Sequence, residues 1–90
     1  MFSVEWLQSA LNDLTNVWVS ADSSMRRAIT GAANQIEQLL TTAPEQQGES
    51  RVGGRRILFV KPLAAVYRVD PTSRTVTILS VWRFGPRRRK

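Results

Sequence analysis

Phe2, Val4 and Trp6 are apolar and alternate with Ser3 and Glu5, a period of two that predicts a short strand with one buried face. From Leu7 the spacing changes to three and four. Leu7, Ala10, Leu11, Leu14, Val17 and Trp18 form one stripe, with Gln8, Asn12, Asp13 and Asn16 facing away, which predicts an amphipathic helix ending near Ser20. Asp22 is placed to cap a second helix, whose stripe is Met25, Ala28, Ile29, Ala32, Ile36, Leu39 and Leu40. Pro44 disfavours helical geometry at Ala43 and ends that helix. The connection between the two is short enough to make them an antiparallel hairpin. By the same periodicity Trp6 and Trp18 are expected in the core.

Residues 45–54 (EQQGESRVGG) hold three glycines and almost no large apolar side chain, so they read as a loop. Three runs rich in β-branched and aromatic residues follow: Arg56 to Val60, Leu63 to Val69, and Thr75 to Phe84. Lys61-Pro62 and the stretch Asp70 to Arg74 separate them, which predicts an antiparallel meander of three strands. The expected fold class is α+β: a short N-terminal strand, an antiparallel helical hairpin, then a three-stranded antiparallel meander, with the helices on one face of the sheet. Residues 1–85 form a single domain in this reading. Residues 86–90, with Arg87, Arg88, Arg89 and Lys90, follow as a flexible basic tail.

Ninety residues suffice for one core. No apolar run approaches the roughly 18 to 20 residues that cross a bilayer, and the start lacks an export signal, so a cytoplasmic protein without a membrane partner is expected. The chain has no cysteine and no histidine. Disulfides, thiolate metal sites, Ser-His-Asp and Cys-His catalysis and paired-histidine ribonuclease chemistry are therefore excluded, and neither a cofactor nor a metal is expected. Gly53-Gly54 precedes a predicted strand rather than a helix, which excludes a phosphate-binding loop of the nucleotide-hydrolase kind. Charge is divided unevenly. Residues 1–50 carry six acids and two bases, whereas residues 51–90 carry eleven bases and one acid, Asp70.

The start Met1-Phe2-Ser3-Val4-Glu5-Trp6, the helical hairpin, the Gly/Arg loop, and the pairing of Leu63-Ala64-Ala65-Val66-Tyr67-Arg68-Val69-Asp70 with Thr75-Val76-Thr77-Ile78-Leu79-Ser80-Val81-Trp82 resemble toxins of the RelE/ParE superfamily over nearly the whole chain. The resemblance implies the toxin of a type II toxin–antitoxin system, held inactive by a cognate acidic antitoxin. Its first implication for activity is ribosome-associated mRNA cleavage by a metal-independent endoribonuclease, inhibiting translation and arresting growth. The alternatives are a non-enzymatic inhibitor of DNA gyrase, and a degenerate member that only binds antitoxin. The chain departs from the RNA-cleaving branch in two places. Ala64 stands where that branch has an arginine three residues before the tyrosine, and no tyrosine follows Tyr67.

The chemistry left open is phosphate chemistry by cations, since guanidinium groups can align a phosphodiester and stabilise a phosphorane. Arg51, Arg55, Arg56, Lys61 and Arg83 are the candidate catalytic cations, with Lys61, Glu49 or Tyr67 as possible proton acceptors. Trp82, Phe84 and the tail Arg87, Arg88, Arg89 and Lys90 are the candidate nucleic-acid contacts. Arg68, expected on the sheet face opposite Tyr67 and Val69, and Arg74 read as solvated surface charge.

Overall fold

The computed structural model describes residues 1–84. Strand β1 (Ser3–Trp6) leads into helix α1 (Gln8–Val19) and helix α2 (Ser23–Thr42), followed by a 3-10 turn at Pro44–Gln46. Strands β2 (Glu49–Arg51), β3 (Arg55–Val60), β4 (Leu63–Asp70) and β5 (Thr75–Arg83) complete the chain. They form one five-stranded sheet in the order β1-β5-β4-β3-β2. β1 runs parallel to β5, with Val4 beside Val76 and Trp6 beside Ile78, and every other pair is antiparallel. The α+β architecture expected from the residue pattern is the one observed.

The helices stop where local chemistry says they should. The Asp22 carboxylate accepts from the Met25 amide at 2.8 Å, capping α2, and Ala43, ahead of Pro44, leaves the helical region with φ −148°. Ala10, Ile29, Ala32, Ala33, Ile36 and Leu40 from the helices pack on Leu58, Leu63, Ala65, Tyr67, Val76, Ile78 and Val81 from one sheet face. At about 1.5–3 kcal/mol for each large apolar side chain fully buried, this layer contact is the main source of stability.

Three expectations need correction. Residues 45–54 are not all loop: Glu49–Arg51 pairs with β3. Three polar residues carry no apolar alternation, so no pattern announces them. Gly48 makes the pairing possible, because at φ +66° a Cβ there would overlap the Ile57 carbonyl. Trp18 is not core; it is 41% exposed, and the Arg26 guanidinium lies 4.3 Å from its ring centroid. Asp13 does not simply face away. Its Oδ2 accepts from the Val81 amide at 3.1 Å, and Ser9 one turn earlier donates to the Leu79 carbonyl at 3.2 Å.

Those two α1 side chains meet β5 at an irregularity. The register runs Val66 to Ser80 but Tyr67 to Ile78, leaving Leu79 as the extra residue of a bulge. The bulge changes the phase of the strand. Val76 and Ile78 face the helices before it, and Val81 does so after it, which turns Trp82 onto the opposite face.

Candidate functional site

Among the described residues, no further element covers the sheet face away from the helices. Residues directly opposite one another on paired strands project to the same side, so the register defines what this face presents. One row across the sheet is Arg51 on β2, Arg55 on β3, Arg68 on β4 and Thr77 on β5. All three arginines are exposed. Another row is Phe59, Ala64 and Trp82. Phe59 is 47% and Trp82 40% exposed, above an Ala64 that is fully buried. Phe84 adds to this end, its ring meeting Phe59 edge-on at 5.1 Å and its amide donating to the Pro62 carbonyl. Ile57 and Val66 lie between the rows.

Like charges at opposed strand positions repel, and three guanidinium groups sit side by side here. Among the described residues their one ion-pair partner is the exposed Glu49, 3.1 Å from Arg51, a pair worth about 0–1 kcal/mol. Asp70 shares the face, but its Oδ1 accepts from the Thr72 and Ser73 amides in the turn. Among the described residues, Arg55 and Arg68 have no ion pair.

The candidate catalytic cations do not converge. Arg51 and Arg55 stand on the open face. Arg56 belongs to the helix-side register opposite Tyr67 and is occupied internally. It donates from Nε to the Gln47 carbonyl at 3.0 Å, from Nη1 to Ser50 Oγ at 3.0 Å and from Nη2 to the Gly48 carbonyl at 3.3 Å. Lys61 lies in the turn after β3, about 20 Å of strand from Arg55 at 3.3 Å per residue. Arg83 pairs with Leu63 at that same far end, in the helix-side register.

Tyr67 is equally committed. Its ring is fully buried, and its hydroxyl lies 2.9 Å from the Pro44 carbonyl and 2.8 Å from that of Gln47. Burial raises its pKa above 10.0, with Arg56 pulling the other way. A phenol that keeps its proton to higher pH and donates to backbone carbonyls is not a proton acceptor.

Among the candidate nucleic-acid contacts, Trp82 and Phe84 are together on the open face, and Arg87, Arg88, Arg89 and Lys90 lie outside the described residues. Arg68, a member of the candidate basic surface that read as solvated charge rather than as a site residue, joins Arg51 and Arg55 in one row. Its alternation with Tyr67 places it on the open face, but only the register puts it beside Arg55.

The helical side has a separate feature, a groove of about 420 Å³ between α1 and α2 lined by Trp6, Leu11, Leu14, Trp18, Ile29 and Ala33 among others. At its rim Trp6 Nε1 donates to Glu37 at 2.6 Å.

Solved structures share this fold. The fold is similar to that in a chromosomal ParDE toxin–antitoxin system from P. aeruginosa, with 26% identity, TM-score 0.75, and coverage of 94% of this chain and 98% of the other. It is also similar to a chain in a RelBE toxin–antitoxin complex from Mycobacterium tuberculosis, at 21% identity and TM-score 0.65 over 91% of this chain and 96% of that one. The isolated RelE toxin of E. coli shares the fold at 14% identity and TM-score 0.63, over 97% of this chain and 88% of that one. Among curated protein sequences none matches. The model of the family described as the ParE toxin of the type II toxin–antitoxin system parDE matches residues 4–89, so with both sequence pattern and fold in agreement, this chain belongs to the ParE toxin family of type II toxin–antitoxin systems.

Proposed function

We propose that this toxin acts by binding its target rather than by cutting RNA, and that the target is DNA gyrase. The observation that carries the reading is the dispersal of the candidate catalytic cations. A phosphorane is stabilised by donors held about 3 Å from its oxygens, and misplacement by 1 Å can cost about a hundredfold in rate. Here Lys61 and Arg83 stand at one end of the sheet, Arg51 and Arg55 at the other, and Arg56 and Tyr67 are spent on the 44–50 segment. A binding toxin needs shape and charge on one accessible surface, which the open face supplies. The match to the ParE family supports the same choice.

The test puts purified toxin with gyrase and relaxed plasmid, and in parallel with translating ribosomes. Loss of supercoiling with intact mRNA is the expected result. Codon-positioned mRNA cleavage with unaffected supercoiling would replace this reading with the ribonuclease one. The partner that restrains the toxin is a net acidic antitoxin, consistent with the toxin–antitoxin systems and complexes in which the similar folds occur. Its affinity should fall as salt rises.

A further inference from the structure

We propose that the face formed by α1 and α2 is a self-association surface, on which a second copy of this chain docks about a two-fold axis running across both helices. This goes beyond the reading above and holds whichever target the toxin inhibits.

The apolar half comes from α1. Leu7 at its N-cap, Leu11, Leu14 and Trp18 are spaced four, three and four residues apart, the seam of a helix that packs against another helix. Burial in the core would hide such a seam. Here Leu7, Leu11 and Trp18 are 41–45% exposed, and Leu11, Leu14 and Trp18 form one wall of the groove of about 420 Å³. The polar half comes from α2. Ser23, Arg27, Thr30, Asn34, Glu37 and Thr41 keep the same alternation of four and three, with Thr30, Asn34 and Glu37 forming part of the other wall. Arg27 and Glu37 are exposed, and neither has an ion pair among the described residues. Trp6 Nε1 donates to one Glu37 oxygen and so holds that carboxylate at the rim.

Two copies of such a hairpin can meet with α1 on α1 and α2 on α2, each pair antiparallel. In an isologous contact every pairing occurs twice. On the first pair of helices, Leu7 meets Trp18 and Leu11 meets Leu14. On the second, Thr30 meets Asn34 and Arg27 meets Glu37, so the charges brought together within the seams are of opposite sign. Both sets need one common axis, and the hairpin supplies it. Arg26 Nε donates to the Trp18 carbonyl at 2.9 Å and Trp6 donates to Glu37, which sets residue 18 level with 26 and residue 6 level with 37. Counting inward from these ties brings the centre of the α1 seam, between Leu11 and Leu14, level with the centre of the α2 seam, between Thr30 and Asn34.

Charge and size select this occupant. Residues 7–42 carry three acids and two bases, so two copies meet there without the repulsion that the basic half would impose. A strongly acidic partner gains nothing comparable on a face with Glu37 at its rim. The seams are about 18–27 Å long and the two helices together about 20 Å wide, a face of about 400–500 Å². That is below the roughly 800 Å² per partner of a standard interface, which makes the association reversible and concentration-dependent.

Sedimentation equilibrium of the full chain from about 1 µM to about 1 mM covers the affinity of so small an interface, with folding followed by circular dichroism. A monomer–dimer equilibrium is the expected result. Arg27→Glu and Glu37→Arg should each weaken it about tenfold or more, since either change turns two attractive pairs into two like-charge contacts. Combining both reversals in one chain should restore the parent affinity to within about threefold, because the pairs re-form with their signs exchanged. Within one copy the two positions are about 15 Å apart along the helix, so a folding defect would not produce that rescue. Leu11→Glu should stay monomeric across the range and keep its helix content. Because the chain has no cysteine of its own, Thr30→Cys and Asn34→Cys proteins also report the register. Mixed and oxidised they should cross-link, and each alone should do so far less.

A chain that is monomeric at the top of the concentration range overturns the proposal, whatever else the groove is found to hold, a helix of another protein or a small amphiphile included. So does a dimer that survives Leu11→Glu and both reversals, which would place the contact on another face. A loss that the combined reversal does not repair overturns it as well. Supercoiling inhibition is a separate readout on the target, and the dimer is judged by sedimentation and cross-linking alone.

Discussion

Replacing Asp13 with alanine tests whether α1 holds the β5 bulge that aims Trp82. The Val81 amide, part-buried, donates to Asp13 Oδ2 at 3.1 Å, and β1, the outer neighbour of β5, stops at Trp6 opposite Ile78, short of Val81. A hydrogen bond to a charged acceptor contributes about 1.5–3 kcal/mol, and an unsatisfied buried donor costs a similar amount. Alanine is the better helix former by about 0.5 kcal/mol, which offsets part of the loss. The net expectation is about 1.5 kcal/mol, or roughly 6–12 °C in Tm for a domain of this size. Asp13→Asn keeps an acceptor oxygen and should recover more than half of that. Hydrogen exchange at the Val81 amide should accelerate in the alanine variant more than exchange elsewhere in β5, since the free donor is local. An Asp13→Ala protein melting within about 2 °C of the parent, with Val81 still protected, would show that the bulge is self-supporting and that the Asp13 contact is incidental.

Arg56→Ala should lose about 1–3 kcal/mol, read in a thermal or urea melt, because three internal hydrogen bonds go with it. Arg55→Ala should melt at or above the parent temperature, as it removes a like-charge contact with Arg68. Gly48→Ala should cost more than about 2 kcal/mol, from a left-handed φ added to overlap with the Ile57 carbonyl, and should raise exchange of the β2–β3 amides. Tyr67 is the sole tyrosine, so phenolate absorbance reports it alone. Its folded pKa lies above its ordinary 10.0, so the stability tied to the neutral phenol is complete below about pH 10. That stability disappears as pH rises through the folded value, and the absorbance should therefore rise together with unfolding. Titration at the ordinary value in a protein that stays folded would contradict the buried setting.

What could be read from the residues divides along physical lines. Both helices, the Asp22 cap, the stop at Pro44 and the three long strands follow from periodicity and from local backbone chemistry, which act within a few residues. β2 does not, because Glu49-Ser50-Arg51 has no apolar alternation and depends on pairing with β3, with Gly48 allowing the close approach and Arg56 bonding the segment. The bulge left a faint trace: Ile78 and Leu79 are adjacent apolar residues, and the buried phase of β5 shifts from 76 and 78 to 81. The exposed Trp18 escaped because a stripe wide enough to include it also runs past the edge of the sheet-facing side. Site residues were less legible than elements. Arg51, Arg55 and Arg56 look equivalent as a basic cluster, yet strand parity sends the first two outward and the third inward, and parity depends on the one-residue phase of strands joined by Val52 and two glycines.

The same parity explains how a small domain can carry so lopsided a charge. Arg56 uses its cation to hold the segment from Gln47 to Ser50, so it contributes to stability. Arg51, Arg55 and Arg68 contribute nothing comparable; side by side on an open sheet they weaken the fold by mutual repulsion. A sheet shaped by stability alone would alternate charges across its strands and place polar side chains where Phe59 and Trp82 are exposed. Both departures fall on one face, the face that the helices leave free. Local costs gathered on a single accessible surface, while the opposite face is packed without a buried unpaired polar side chain among the described residues, are what a binding surface requires and what a scaffold surface avoids.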